Sequence, residues 1–284
     1  MEPVELEYRG EGGLRLVGDR WGDPSASPVV FLHGGGQTRH SWSGSARRVA
    51  EHGWQAVTVD ARGHGASDWS AEGDYRLVTF ARDVSHLADE LGRPPVLVGA
   101  SLGGLTSMLL AGELRPGSAA GVVLVDIVPD MEPAGADRIQ AFMADRLAEG
   151  FASLDEVADA IAAYNPHRPR PDDLSGLRKN LRERDGRFYW HWDPAFIDGS
   201  APRPPVEIND VDRLHDGVAR IVADGVPLLL VRGRSSDLVS AGKAEAFLAR
   251  FPACGFVDVT GAGHMVAGDR NDAFTAAVLA FLAG

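Results

Sequence analysis

Short runs of consecutive apolar residues, rich in Val and Leu, alternate along the chain with longer segments whose apolar positions recur every three or four residues. The runs at 29–33, 56–60, 96–100, 122–125, 228–232 and 256–259 are continuous rather than alternating in polarity, the pattern of strands covered on both faces by helices. Ahead of them, 4–8 and 14–21 read as an antiparallel hairpin at one edge of the sheet. Its turn is Gly10-Glu11-Gly12-Gly13, where glycine supplies the positive φ that the turn needs. Together the eight runs predict an α/β fold with a mostly parallel eight-stranded sheet and helices on both faces. One such helix carries Val84, Leu87, Ala88 and Leu91 on a single face and is stopped by Gly92-Arg93-Pro94-Pro95.

The alternation breaks between 128 and 225. That segment has helical period, many of the chain's prolines and no strong strand, so it reads as a helical insertion after the sixth strand. The chain is thereby divided into a first core part (1–127), the insertion (128–225) and a second core part (226–284). Within the insertion, Ile139, Phe142, Met143 and Leu147 share one helix face, and Val157, Ile161 and Tyr164 share another. Stretches 165–171 and 201–205 read as proline-stiffened loops.

Composition narrows the classes of partner. With 28 Lys+Arg against 40 Asp+Glu, the formal charge of −12 opposes binding to nucleic acid or to anionic membrane surfaces. The single cysteine, Cys254, forms neither an internal disulfide nor a cysteine-based metal site. No signal-peptide pattern opens the sequence and no apolar stretch is long enough to span a bilayer, so a cytoplasmic protein acting on a small molecule is expected.

The strongest chemical signal is Gly99-Ala100-Ser101-Leu102-Gly103, a G-x-S-x-G pattern placed between an apolar run and a helical segment. A serine on so tight a turn projects its hydroxyl above the sheet, and the following helix turns its positive end toward that hydroxyl. His33-Gly34-Gly35-Gly36 ends another run and offers a second backbone N–H for an oxyanion hole. Gly35 is the preferred donor, Gly36 the alternative, and Leu102 supplies the first N–H. His33 reads as a structural hydrogen-bonder beneath that loop.

His264, in Gly261-Ala262-Gly263-His264-Met265 after the last run, is the candidate base, in the chain order serine, acid, histidine. Two aspartates at strand ends compete to be the acid. Asp237 is preferred because it follows the strand before the histidine, and Asp126 is the alternative. The loop Asp60-Ala61-Arg62-Gly63-His64-Gly65-Ala66-Ser67 reads as architectural, with Asp60 and Arg62 expected to pair.

Taken together, these segments resemble the α/β-hydrolase superfamily, in its capped branch of esterases, perhydrolases and C–C bond hydrolases. The resemblance implies a serine hydrolase with catalytic Ser101, Asp237 and His264 and oxyanion donors Gly35 and Leu102, needing neither metal nor organic cofactor. Relatives that cleave epoxides or carbon–halogen bonds carry aspartate where this chain has Ser101, which argues against both activities. The implied reaction is acyl transfer on a carboxylic ester or lactone of a medium-sized, largely apolar substrate. Cleavage of diketone C–C bonds or perhydrolysis is the alternative, and a non-catalytic receptor is a third reading. Substrate choice falls to the insertion acting as a cap. There Gly36, Met131, Phe142, Tyr164, Phe188, Trp190, Trp192 and Met265 are expected to line a pocket, unless the aromatic residues serve chiefly as the cap's own core.

Overall fold

The runs of the sequence become strands β1 (Val4–Arg9), β2 (Arg15–Trp21), β3 (Pro28–Leu32), β4 (Gln55–Val59), β5 (Val96–Ala100) and β6 (Gly121–Val125). A separate pair, β7 (Leu181–Arg184) and β8 (Arg187–Trp190), precedes β9 (Leu228–Gly233) and β10 (Gly255–Val259). The structure is a computed structural model that describes residues 1–166, 170, 172–198, 210–269 and 271–284. One eight-stranded sheet runs in the order β1-β2-β4-β3-β5-β6-β9-β10. β2 is antiparallel to both its neighbours and every other pairing in that sheet is parallel. The eight-stranded, mostly parallel arrangement with its edge hairpin is the one expected from the apolar runs.

Inside those runs the strand period of two decides which helix layer each side chain meets. Val30, Leu32, Leu97, Leu124 and Leu230 join one core cluster, and Val29, Phe31, Val98, Val125 and Val231 join the other. The helices are α1 (Ser43–Glu51), α2 (Leu77–Leu91), α3 (Leu102–Leu109), α4 (Pro133–Ala144), α5 (Leu154–Tyr164), α6 (Val211–Ala223), α7 (Ala241–Arg250), α8 (Val266–Asp269) and α9 (Asn271–Leu282). Buried residues of α2, α3, α6 and α7 fill the first cluster, and those of α1 and α9 fill the second.

Helix α6 was expected to belong to the insertion, whose end was set at residue 225. It packs instead on the core: Leu214, Val218 and Ile221 are buried there, and a Cβ placed on Gly112 would lie 2.1 Å from the Gly217 carbonyl oxygen. Two bare glycine backbones thus allow α6 to lie against the segment that continues α3. The described part of the segment read as the insertion thus includes a helix that rests on α3 and its continuation.

It also contains the hairpin β7–β8, where no strand was expected. The turn residues Asp185 and Gly186 both have positive φ, 51° and 73°, as an Asp-Gly type I′ turn demands. The dipeptide was the signal for it. Helix α5 begins as a capping-box pattern would have it, with the Ser153 hydroxyl accepting the Glu156 amide hydrogen. Of the two proline-rich loops, 201–205 and the residues 167–169 and 171 lie outside the described residues.

The expected Asp60–Arg62 pair does not form. Asp60 accepts from Arg39 at 2.6 Å and Arg62 donates to both oxygens of Asp83 at 2.6 Å, all four side chains being buried. Each charge therefore finds a partner on another element, Arg39 on the loop after β3 and Asp83 on α2. These pairs tie the loop 60–68 to the core on two sides.

The glycine contacts predict opposite effects of the same substitution at two places. Gly112→Ala is expected to cost about 1–3 kcal/mol by forcing α6 away from its neighbour, whereas Gly242→Ala, in α7 with nothing within 4 Å of its would-be Cβ, should stabilise by about 0.5–1 kcal/mol. Urea unfolding midpoints of the two variants measure this. Equal shifts in both would refute the packing argument.

Candidate active site

Ser101 follows β5 directly and caps α3 with φ 45° and ψ −114°, a backbone region that side chains rarely occupy. What permits the turn is the absence of side chains around it. A Cβ on Gly99 would stand 2.3 Å from the Gly103 carbonyl oxygen, and one on Gly103 would stand 2.3 Å from the Leu32 carbonyl oxygen. The first glycine lets the chain fold back on itself, and the second lets α3 press on β3. Ser101 is left half-buried in the lining of a cavity that His264 also lines.

The neighbouring strand supplies the carboxylate. In the pairing of β5 with β6, Ala100 stands beside Val125, so the next residues, Ser101 and Asp126, leave adjacent strand ends together. Asp126 too has a positive φ, 51°. Its carboxylate is fully buried. One oxygen accepts the Gly233 amide at 3.0 Å, and the other lies 2.5 Å from the Ser236 hydroxyl and 2.8 Å from Nδ1 of His264. Because a carboxylate only accepts, Nδ1 carries the hydrogen, and Nε2 of the neutral ring is left as the basic atom.

Asp237, the acid preferred from sequence, is not beside the histidine. Its side chain is 40% exposed and bonds Arg138 of α4 at 2.6 Å. It lies four residues past the end of β9, on a stretch that has already turned toward the cap. The residue of that loop that reaches the centre is Ser236, whose hydroxyl donates to Asp126 and accepts the amides of Leu238 and Val239. Sequence reasoning missed Ser236, for which no local motif exists.

The glycine loop after β3 packs directly over the serine. A Cβ on Gly34 would lie 3.3 Å from that of Ser101, and one on Gly35 would meet Met143 and Phe196. The Gly36 amide donates to Nε2 of His64 at 3.2 Å and is thereby occupied. Among the described residues the amides of Gly35 and Leu102 have no partner, whereas that of Gly36 has one.

Three buried histidines hold this loop, each between two backbone groups. His33 accepts the Ala61 amide at Nε2 and donates to the Gly34 carbonyl from Nδ1, the structural role expected of it. His64 accepts from Gly36 and donates to the Arg62 carbonyl. His191, from the cap, accepts the Gly65 amide and donates to the Gly36 carbonyl. A ring that accepts at one nitrogen and donates at the other is neutral. Burial holds all three below the ordinary histidine range, His64 at about 3.

The cavity above Ser101 measures about 580 Å³. Of the residues expected around it, Gly36, Phe142, Tyr164, Trp190, Trp192 and Met265 are there, joined by Ile139, Met143 and Ile161. Met131 and Phe188 are not. Both are partly buried against the core cluster, with Phe188 bridged to Phe151 and covered by the Arg178 guanidinium. Trp190 and Trp192 also serve packing, their rings stacked at 4.9 Å and their indole N–H groups bonded to the carbonyls of Asp145 and Met143. Among the described residues no cluster of three or more His, Cys, Asp or Glu is placed to hold a metal ion. None of their helices is long and apolar enough to cross a membrane.

A family model described as the alpha/beta hydrolase family matches residues 29–277. The chain is similar to Esterase Rv0045c of Mycobacterium tuberculosis, with 32% identity over 243 residues covering 83% of this chain and 74% of the relative. It is also similar to the sn-1-specific diacylglycerol lipase ABHD11 of Mus musculus, with 30% identity over 274 residues, 92% of this chain and 83% of the relative. Among solved structures, E-2-(acetamidomethylene)succinate hydrolase superimposes with a TM-score of 0.82 at 25% identity, covering 99% of this chain and all of that one.

The neutral histidines set a pH dependence. Unfolded, each takes a proton near 6.5, whereas folded His64 resists down to about 3. The unfolded state therefore binds more protons in that window, and stability, fully present above 6.5, is lost as pH falls toward 3. Urea unfolding between pH 7.5 and 4.5 should show this decline. His64→Gln, which keeps an acceptor, should flatten the slope by about one proton; an unchanged slope would show that His64 is not neutral in the fold.

Proposed function

The chain belongs to the alpha/beta hydrolase family, and on that premise we propose that it is a serine esterase that cleaves a carboxylic ester or lactone of a medium-sized, largely apolar substrate. The observation that carries the reading is Ser101 on its strained turn in the same cavity as His264, whose Nδ1 is bonded to the buried Asp126. A relative named as an esterase and another named as a lipase support ester chemistry. A cavity of this volume suits a small organic molecule, and Ile139, Phe142 and Ile161 on its wall suit an apolar acyl or alcohol group.

In this mechanism Nε2 of His264 takes the Ser101 proton as the oxygen attacks the ester carbonyl. Asp126 holds the imidazole in the tautomer that can do so and stabilises the cation that forms. The carbonyl oxygen, as it gains charge, is met by the amides of Gly35 and Leu102, at the positive end of α3. Each such donor stabilises the transition state by about 3 kcal/mol. His264 returns the proton to the departing alcohol, and a water activated by the same ring then hydrolyses the acyl-enzyme.

The test separates the two aspartates as well as the mechanism. A fluorophosphonate should add once, on Ser101, as read by intact and peptide mass spectrometry, and Ser101→Ala should abolish both labelling and p-nitrophenyl ester turnover. Asp126→Asn should lower kcat by roughly 10³–10⁴-fold, while Asp237→Asn stays within a few-fold of the parent. Ester turnover that survives Ser101→Ala would end the esterase reading. A large loss in Asp237→Asn with none in Asp126→Asn would reverse the assignment of the acid.

A further inference from the structure

The cavity at Ser101 has two unlike walls. Ile139, Phe142, Ile161 and Trp190 form one; Ser41, Lys179 and Asn180 belong to the other. These last three also line a second hollow of about 280 Å³ that shares His264 and Met265 with the first and is closed by His40 and Trp42. The polar wall thus stands where the two hollows meet, beside the histidine.

Its charge is opposite to that of the protein. The chain carries 40 acidic residues and a formal charge of −12, yet among the described residues lining the two hollows there is no Asp or Glu. Two cations are there. Arg170 is neutralised by Asp155 and Asp159 at 2.6 and 3.1 Å. Lys179 has no ion pair among the described residues. In its stretch of chain, the Glu183 carboxylate is engaged by Arg178, and that of Asp173 accepts the Ser175 amide. Of the chain's two lysines the other, Lys243, is paired with Asp130 at 2.7 Å.

Hydrogen-bond donors accompany this charge. The Asn180 side-chain oxygen accepts from Thr38, which leaves its NH₂ group to donate. Gln37, by contrast, is used up, its oxygen accepting the Gly34 amide and its nitrogen set against Met265. His40, at the edge of the second hollow, stands 3.8 Å from Asp19; burial chiefly, then Arg39, hold it below the ordinary histidine range against the pull of Asp60 and Asp19, and Lys179 adds a smaller effect in the same direction as Arg39.

We infer that the substrate is an ester that also bears a carboxylate, seated at Lys179 with the Asn180 NH₂ and Ser41 hydroxyl groups, while its apolar part lies against Ile139, Phe142 and Ile161. This rests on the esterase reading of the same site. An ammonium in a cleft without carboxylates draws an anion and fixes which way round the ester binds.

The experiment compares matched esters differing in one carboxylate: phenyl pentanoate with monophenyl adipate on the acyl side, and phenyl butyrate with 3-carboxyphenyl butyrate on the alcohol side. In at least one series kcat/KM for the anionic ester should exceed the neutral one by about tenfold or more, a preference that shrinks as salt is raised. Lys179→Met should bring that ratio to about one, and Lys179→Arg should restore most of it. A ratio at or below one in both series, or one that Lys179→Met leaves intact, would overturn the inference while neutral-ester turnover keeps the esterase reading alive. Failure of every ester together with no fluorophosphonate adduct on Ser101 would instead bring down the esterase reading itself.

Discussion

Two backbone turns at the ends of adjacent strands, Ser101 after β5 and Asp126 after β6, hold the site together. Each is a non-glycine residue at positive φ, a conformation that costs about 1–3 kcal/mol and persists only where the surroundings over-determine it. Here the surroundings are β5 and β6, every residue of which is buried. Their register sets Ala100 beside Val125 and so sends the serine and the carboxylate out of the sheet as neighbours. The strained turn at Ser101 is further enforced by glycines whose missing side chains let α3 lie on β3. If either strand shifted by one residue, its own side chains would turn to the other face and the two residues would no longer leave the sheet as neighbours.

A second layer of constraint is electrically neutral. The glycine loop over Ser101 has few side chains with which to fix itself, and its position is set from outside by rings that each accept one amide and donate to one carbonyl. His64 takes the Gly36 amide and His191 reaches the Gly36 carbonyl. Since His191 belongs to the cap and also accepts the Gly65 amide, the cap is fastened to two loops of the core beside Ser101. In the proposed reaction, substrate recognition and the geometry of the oxyanion donors share one fastening.

The sheet was legible because its signal is local: a continuous apolar run marks a strand buried on both faces wherever it falls in the chain. The serine, the histidine and the glycine loop were legible for the same reason, each being a short motif at the end of such a run. The acid was not. Ser101, Asp126, Asp237 and His264 obey the same chain order with either aspartate, and only the lateral order of strands, β5 beside β6, distinguishes them. The partners of Asp60 and Arg62 were lost likewise, since Arg39 and Asp83 are near only in space. The hairpin at Asp185-Gly186 is a different case: its turn signal was present, and the helical period of the flanking insertion outweighed it. The placement of α6 depended on Gly112 and Gly217, which a search for apolar faces passes over.

The polarity of the cavity follows from this architecture. The sheet and its helices supply backbone groups and apolar side chains at the strand ends, and the core carboxylate bonded to His264, Asp126, is buried with no exposure. Charge in the open part of the site must therefore come from the cap. The cap contributes Arg170, already neutralised, and Lys179, which among the described residues is not. A cleft lined, among the described residues, without Asp or Glu and holding one such ammonium repels an anion less than the net charge of −12 suggests. A single exposed cation adds little binding energy in water, and set across the cavity from Phe142 and Ile161 it acts mainly on which end of a ligand faces it. Orientation of the substrate, more than affinity, is what such a charge provides.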